Sequence, residues 1–260
     1  MPFSARSIST LSPQCNSESE LQHELASIRP SLSLTETEET WDKIANGFLR
    51  LSALCKGGAC DYPTALTPAL RSLARPLTSA VSSERTRLSA AALDVITTSA
   101  TGLGTSFEPL MPLLLPTLLS LCSRPNKVVI ARTKAAIQVI VEQTQLPSIL
   151  PHLTQALGDK SATLRMIAIE SVLACLNCLN PPDLEKEVRA KEIEGAIRST
   201  VTDASGDVRK VSRQVFDAYK ILLPDRIDRY VLAPAGVVLA NLNSFMAVSL
   251  APCLRLRRNI

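Results

Sequence analysis

Five basic residues recur beside helix starts along the chain: Lys43, Arg85, Lys127, Arg165 and Arg209. The steps between them are 42, 42, 38 and 44 residues. Each belongs to a short polar turn: Thr40-Trp41-Asp42-Lys43, Ser83-Glu84-Arg85, Asn126-Lys127, Lys160-Ser161 through Arg165, and Ser205-Gly206-Asp207-Val208-Arg209. A cation in the first turn opposes the helix dipole by about 0.3–1 kcal/mol, so Asp or Glu is the locally preferred choice. A choice repeated against local preference points to function. Turns aligned along one edge would present cations and free backbone N–H groups in a row, suited to a partner's carboxylates. The alternative is ordinary solvated charge. Trp41, the single tryptophan, stands at one end of the row, as core packing or as an exposed interface anchor.

Other reactive residues form no catalytic set. His23 and His152 are the two histidines, and neither lies in a Ser/His/Asp context. His152 follows Pro151 in an expected first turn, which suits a solvated or capping role. Cys175-Leu176-Asn177-Cys178 is a C-x-x-C without the second pair that a structural zinc site needs. Both thiols continue an apolar stripe and read as core, as do Cys55 and Cys60 around Gly57-Gly58. Gly102-Leu103-Gly104-Thr105-Ser106 resembles a phosphate cradle only in its glycines. It follows a helical stretch and not a strand, so it reads as a linker between repeats. No cofactor, metal or small-molecule substrate is expected, and no enzyme activity.

Composition narrows the class. Hydrophobic residues make up 46% of the 260 but aromatics only 3%, so the core must be aliphatic, as in thin helical layers. Nine glycines are few for β-sandwich turns or nucleotide loops. A net charge of +4 with so few aromatics argues against nucleic acid, which calls for denser basic patches and stacking platforms. It can still steer an acidic protein partner. Seven cysteines without framework spacing indicate reduced thiols in the cytosol or nucleus. Residues 1–16 are Ser-rich, lack the apolar segment of a secretory signal and read as a disordered lead.

The elements that would carry the ladder follow from periodicity. Leu88, Ala91, Ala92, Val95 and Ile96 form one helical stripe. Leu164, Ile167, Ala168, Val172 and Cys175 form another, and Val208, Val211, Val215, Phe216 and Tyr219 a third. Each such helix is preceded by an apolar segment with proline near its start: Pro63 and Pro68, Pro109 and Pro112, Pro147 and Pro151. Pro116 sits deeper and is expected to kink its helix. Residues 17–28, with Leu21, Leu25 and Ile28, read as an opening helix. Thr35 to Glu38 reads as a capping box for the Trp41 helix. The layout is helix, turn, helix, link, five times over, with a sixth unit starting near Pro224. A period of about 42 residues is that of HEAT-type helix pairs, so the expected fold is an all-α superhelix of about six pairs.

In order along the chain, Thr40-Trp41-Asp42-Lys43 with Gly57-Gly58, Ser83-Glu84-Arg85-Thr86, Asn126-Lys127-Val128, Lys160 through Arg165 and Asp203-Ala204 through Arg209 resemble the TOG domain of the CLASP (CLIP-associating protein) family. The resemblance covers residues 17–234. It implies a paddle of HEAT repeats whose intra-repeat turns bind αβ-tubulin, in proteins that stabilise microtubules and regulate plus ends in the cytoplasm and the spindle, alongside plus-end tracking proteins. By matching position it implies Trp41 and Lys43 as first-turn contacts, Ser83 and Arg85 as second, Asn126 and Lys127 as third, Lys160 and Arg165 as fourth, and Arg209 with Lys210 as fifth. Relatives often carry a denser basic cluster after the fourth turn, where this chain has Arg165 followed by Met166. Family members are also longer, with several TOG domains and basic linkers. Residues 235–260 depart from the family as an apolar, then basic, tail. Asn241, Asn243, Ser244, Ser249 and Pro252 make that tail a poor membrane helix, so no membrane is expected as partner. The competing reading is a HEAT scaffold that binds another protein on its concave helical face.

Overall fold

A computed structural model describes residues 14–227. These residues form helix pairs linked by short turns, and the expected all-helical superhelix is what they build. The first pair is α1 (Glu18–Leu32) and α2 (Trp41–Lys56). The second is built of α3 (Pro63–Ser72), α4 (Ala74–Val81) and α5 (Thr86–Leu103), with α4 packed on α5. The third is α6 (Met111–Leu121) with α7 (Lys127–Thr144), and the fourth α8 (Leu150–Ala156) with α9 (Ala162–Cys178). A short α10 (Pro181–Glu185) leads into the fifth, α11 (Glu187–Thr200) with α12 (Gly206–Leu222). Residues 224–227 are helical and begin the expected sixth unit; its remainder and the 235–260 tail lie outside the described residues.

The second helices stack in chain order, α2 on α5, α5 on α7, α7 on α9 and α9 on α12, as one layer. The first helices form the other: α1 on α3, α4 on α6, α6 on α8 and α8 on α11. The apolar stripes meet between the layers: the residues of the three helical stripes from Leu88, Leu164 and Val208 are buried, and Cys178 is half-buried. No pair could bury its face alone, which is why the core is continuous along the stack.

α6 runs through Pro116 to Leu121. A helix break falls at Leu73, between α3 and α4. Pro76 lacks the N–H that would bond the Ser72 carbonyl in an unbroken helix. Leu73 closes α3 and opens α4 in its place. The expected capping box is absent. Thr40 is the N-cap of α2 without a side-chain cap bond, and its Oγ1 donates to the Thr35 carbonyl at 2.6 Å. The threonine side chains organise the 33–40 turn itself in place of capping.

At the opposite edge, the expected lead is packed where the structure begins to describe it. Cys15 is buried, and its N–H donates to the Gly57 carbonyl at 2.8 Å. Residues 1–13 lie outside the described residues. Gly104, in the expected linker, ends α5 at φ +52°, a left-handed backbone that glycine adopts without a Cβ clash.

Candidate binding edge

The intra-repeat turns are residues 33–40, 82–85, 122–126, 157–161 and 201–205. Hydrogen bonds between successive turns join several of them into one edge. The basic residues do not occupy equivalent positions on it. Lys43 is the third residue of α2, Arg85 the N-cap of α5, Lys127 the first residue of α7, and Arg165 and Arg209 the fourth residues of α9 and α12.

At the first two turns the expected contacts are already engaged. Ser83 Oγ donates to Glu36 Oε1 at 2.6 Å. Arg85 Nη2 donates to Glu38 Oε1 at 2.6 Å, and its Nε lies 3.3 Å from Glu36 Oε1. The Arg85 guanidinium carbon stands 5.3 Å from the centroid of the half-buried Trp41 ring, a cation–π distance. Trp41 is therefore both packed on the core and capped by Arg85. The hydrogen bond from Arg85 holds the Glu38 carboxyl below the usual carboxylate range, and the same bond raises Arg85. Beside them Arg87 pairs with Asp42 and donates to Asn46 Oδ1 at 2.7 Å.

At the third turn Asn126 is an N-cap. Its Oδ1 accepts from the N–H groups of Val128 (3.0 Å) and Val129 (3.3 Å). Arg124 Nη1 reaches back to the Ser82 carbonyl at 3.1 Å, joining turns two and three. Val128 is 54% exposed beside Lys127, a large apolar side chain presented to solvent on the edge.

The fourth and fifth turns share one design. Asp159 Oδ1 accepts from Ser161 N–H at 2.7 Å, and Asp203 Oδ1 from Ser205 N–H at 2.7 Å. Arg165 Nη1 donates to the carbonyls of Asp159 (2.9 Å) and Lys160 (3.0 Å). Arg209 Nη1 donates to the carbonyls of Asp203 (2.5 Å) and Ala204 (3.0 Å) in the same register. The pattern is Asp-x-Ser-x-x-apolar-Arg, with the arginine folded over its own turn. These carbonyl bonds offset the unfavourable dipole position, so local structure accounts for these two cations. Arg165 also grips Asp203 of the next turn in a fork, Nε to Oδ2 at 2.7 Å and Nη2 to Oδ1 at 2.9 Å. That bond holds the Asp203 carboxyl below its ordinary value and raises Arg165.

The ladder thus divides. Arg85, Arg165 and Arg209 are bonded within the chain. Lys43, Lys127, Lys160 and Lys210 are exposed, and among the described residues their ammonium groups have no hydrogen bond or ion pair. Carboxylates gather at turns one and two (Glu36, Glu38, Glu39 and Glu84), whereas Arg124, Lys127, Lys160 and Lys210 dominate turns three to five. Sequence reasoning missed Glu36, Glu38 and Asp203 because their partners are 38 to 47 residues away. It missed Val128 because exposure of one valine in a helical stripe leaves no sequence signal.

The two histidines lie apart from each other, whereas Cys55 and Cys60 are buried side by side. His23 is exposed on α1 and His152 half-buried in α8. Cys175 is fully buried, which pushes its thiol well up, and Cys178 Sγ contacts the Val141 carbonyl at 3.7 Å.

The family model described as CLASP N terminal matches residues 21–232. Protein peg1 of Schizosaccharomyces pombe is 28% identical over 207 residues, covering 77% of this chain and 14% of that protein. Protein stu-1 of Neurospora crassa is 27% identical over 195 residues, covering 74% of this chain and 17% of that protein. The chain therefore spans a small part of the length of these relatives. Among solved structures, the TOG domain of human Cep104 aligns with a TM-score of 0.60 at 17% identity, over 90% of this chain and 97% of that one. A structure described as showing TOG–tubulin binding specificity that promotes microtubule dynamics and mitotic spindle formation aligns with a TM-score of 0.59 at 12% identity, over 88% of each chain. At these identities the structural likeness speaks for the fold.

Proposed function

Because the chain belongs to the CLASP N-terminal family, we propose that it is a tubulin-binding TOG domain of a microtubule-stabilising protein, meeting αβ-tubulin through the turn edge. The observation that carries this reading is the set of exposed lysines without partners among the described residues: Lys160 on the fourth turn, and Lys43, Lys127 and Lys210 in the helix starts that follow the first, third and fifth. Unpaired ammonium groups on or beside short turns suit an acidic protein surface, and the exposed Val128 adds an apolar contact among them. Trp41 and the Arg85 guanidinium over it form a rigid platform at one end. Its place is at microtubules in the cytoplasm and on the spindle, where plus-end tracking proteins are further partners. It works by binding and carries no catalytic step.

The test is co-elution with αβ-tubulin on size exclusion, followed by affinity measurement. The K43E/K127E/K160E variant, checked for native melting, is expected to lose at least roughly tenfold in affinity, with wild-type binding weakening as salt rises. Trp41→Ala weakens binding in the same assay. Binding unchanged by the triple reversal in a folded protein would remove the edge from consideration. Protection mapped to the helix faces and not to the turns would support the scaffold reading instead.

A further inference from the structure

At turn two, polar side chains already hold carboxylates that turn one supplies. Glu36 and Glu38 belong to the segment Thr35-Glu36-Thr37-Glu38-Glu39, which crosses from α1 to α2. Glu36 accepts the Ser83 hydroxyl and lies against Arg85 Nε, and Glu38 accepts Arg85 Nη2. An acidic partner would offer Ser83 and Arg85 the same groups. The segment is held from its own side by polar bonds: Thr40 Oγ1 to the Thr35 carbonyl, and the Thr37 N–H to Thr40 Oγ1 at 2.9 Å. Beneath it runs a cleft of about 370 Å³ lined by Leu32, Leu34, Ile44, Arg75 and Pro76. Leu34 stays 41% exposed above it. The segment is thus attached through its carboxylates and threonines and not by apolar packing along its length.

We infer that residues 35–39 are an acidic strap that occupies the Ser83–Arg85 subsite and competes with the acidic partner for it. The inference rests on the proposed binding edge and adds an internal regulator to it. Arg85 has two states in this scheme, bound to Glu36 and Glu38 or bound to the partner. Exchanging one set of charge-assisted bonds for the other makes the subsite's net contribution small while the strap is closed. The strap carboxylates are exposed or nearly so, and exposed ion pairs are individually weak. A partner can therefore displace them, and added negative charge on the strap would hold it more firmly.

The test is the E36Q/E38Q variant, which removes charge while keeping side-chain length and a carbonyl acceptor for Ser83. Tubulin affinity is expected to rise roughly three- to tenfold. Adding Arg85→Ala to E36Q/E38Q should abolish the gain, returning affinity to the wild-type level or below. Wild type that binds tubulin while E36Q/E38Q binds equally or more weakly overturns the strap. A second probe, a short polyglutamate peptide followed by the NMR signal of Arg85 Nε–H, keeps the strap separate from the identity of the partner. The peptide should shift that signal in E36Q/E38Q at lower concentration than in the wild type. Equal shifts overturn the strap even if tubulin binds, and unequal shifts support it even if tubulin does not.

Discussion

Removing the Arg165 side chain would leave the buried Asp203 carboxylate without its forked partner and two turn carbonyls without a donor. Breaking one side of a buried ion pair is more damaging than losing a surface contact. Arg165→Ala is expected to lower unfolding free energy by about 2–4 kcal/mol. Arg165→Lys should recover only part, since a lysine cannot make the fork and reach the carbonyls together. Urea denaturation decides the matter, and a change for Arg165→Ala within about 0.5 kcal/mol would show the pair to be ornamental. Lys160 and Lys210 contrast with these arginines: reversing either charge should leave stability nearly unchanged and alter binding alone. Residue type at a ladder position is thus a guide to role, with the fork-shaped guanidinium bonding inward and the ammonium left to solvent.

At the scale of elements, the pair is the unit and its glycine contacts set how closely neighbouring segments approach. Gly102, near the end of α5, lies against the Ala59–Asp61 turn that follows α2. A Cβ there would stand 2.4 Å from Cys60 Sγ and 2.6 Å from Cys60 Cβ. Alanine would improve helix propensity by about 1 kcal/mol, but the clash involves the rigid Cys60 Cβ as well as its sulfur. Gly102→Ala is therefore expected to lower the melting temperature by about 2–6 °C. A melting temperature equal to or above wild type in a calorimetric scan would mean that the turn yields without cost. The broken helix of the second pair follows similar logic, since the missing Pro76 donor and not the number of apolar residues decides where α3 stops.

Over the whole molecule, ion pairs run across the stack at spacings near the repeat. Lys56 with Asp94 and Arg165 with Asp203 join residues 38 apart in adjacent pairs. At the C-terminal end, Arg226 bonds Glu187 at 2.7 Å and lies 3.3 Å from Glu194, which also accepts the Tyr219 hydroxyl at 2.6 Å. Hydrogen bonds from Arg226 and Lys191 lower the Glu187 carboxyl to about 2. Because Glu187 and Asp203 are both depressed in the folded state, their stabilisation is present above the unfolded carboxylate values. It is lost as pH falls through the folded ones. Ellipticity should therefore hold through about pH 4 and decline below it. In Arg226→Ala the acid midpoint should move to higher pH, because Glu187 then titrates nearer its ordinary value. An unmoved midpoint would show that the C-terminal clasp does not couple to acid stability.

The repeat step, the apolar stripes and the turn positions were all readable from the chain, because each is set within one helix or one turn. A stripe needs residues three and four apart, and a turn needs its own polar and proline residues. The cations of the ladder were readable for the same reason. That Arg85 and Arg165 also hold carboxylates of another turn depended on residues one repeat away. Glu38 lies 47 residues from Arg85, and Asp203 lies 38 from Arg165. No pattern within one turn identifies the carboxylate of another turn onto which Arg85 or Arg165 locks. Stacking of the pairs brings those groups within hydrogen-bonding distance, so the bonds that run from one repeat to the next along the edge are a tertiary property.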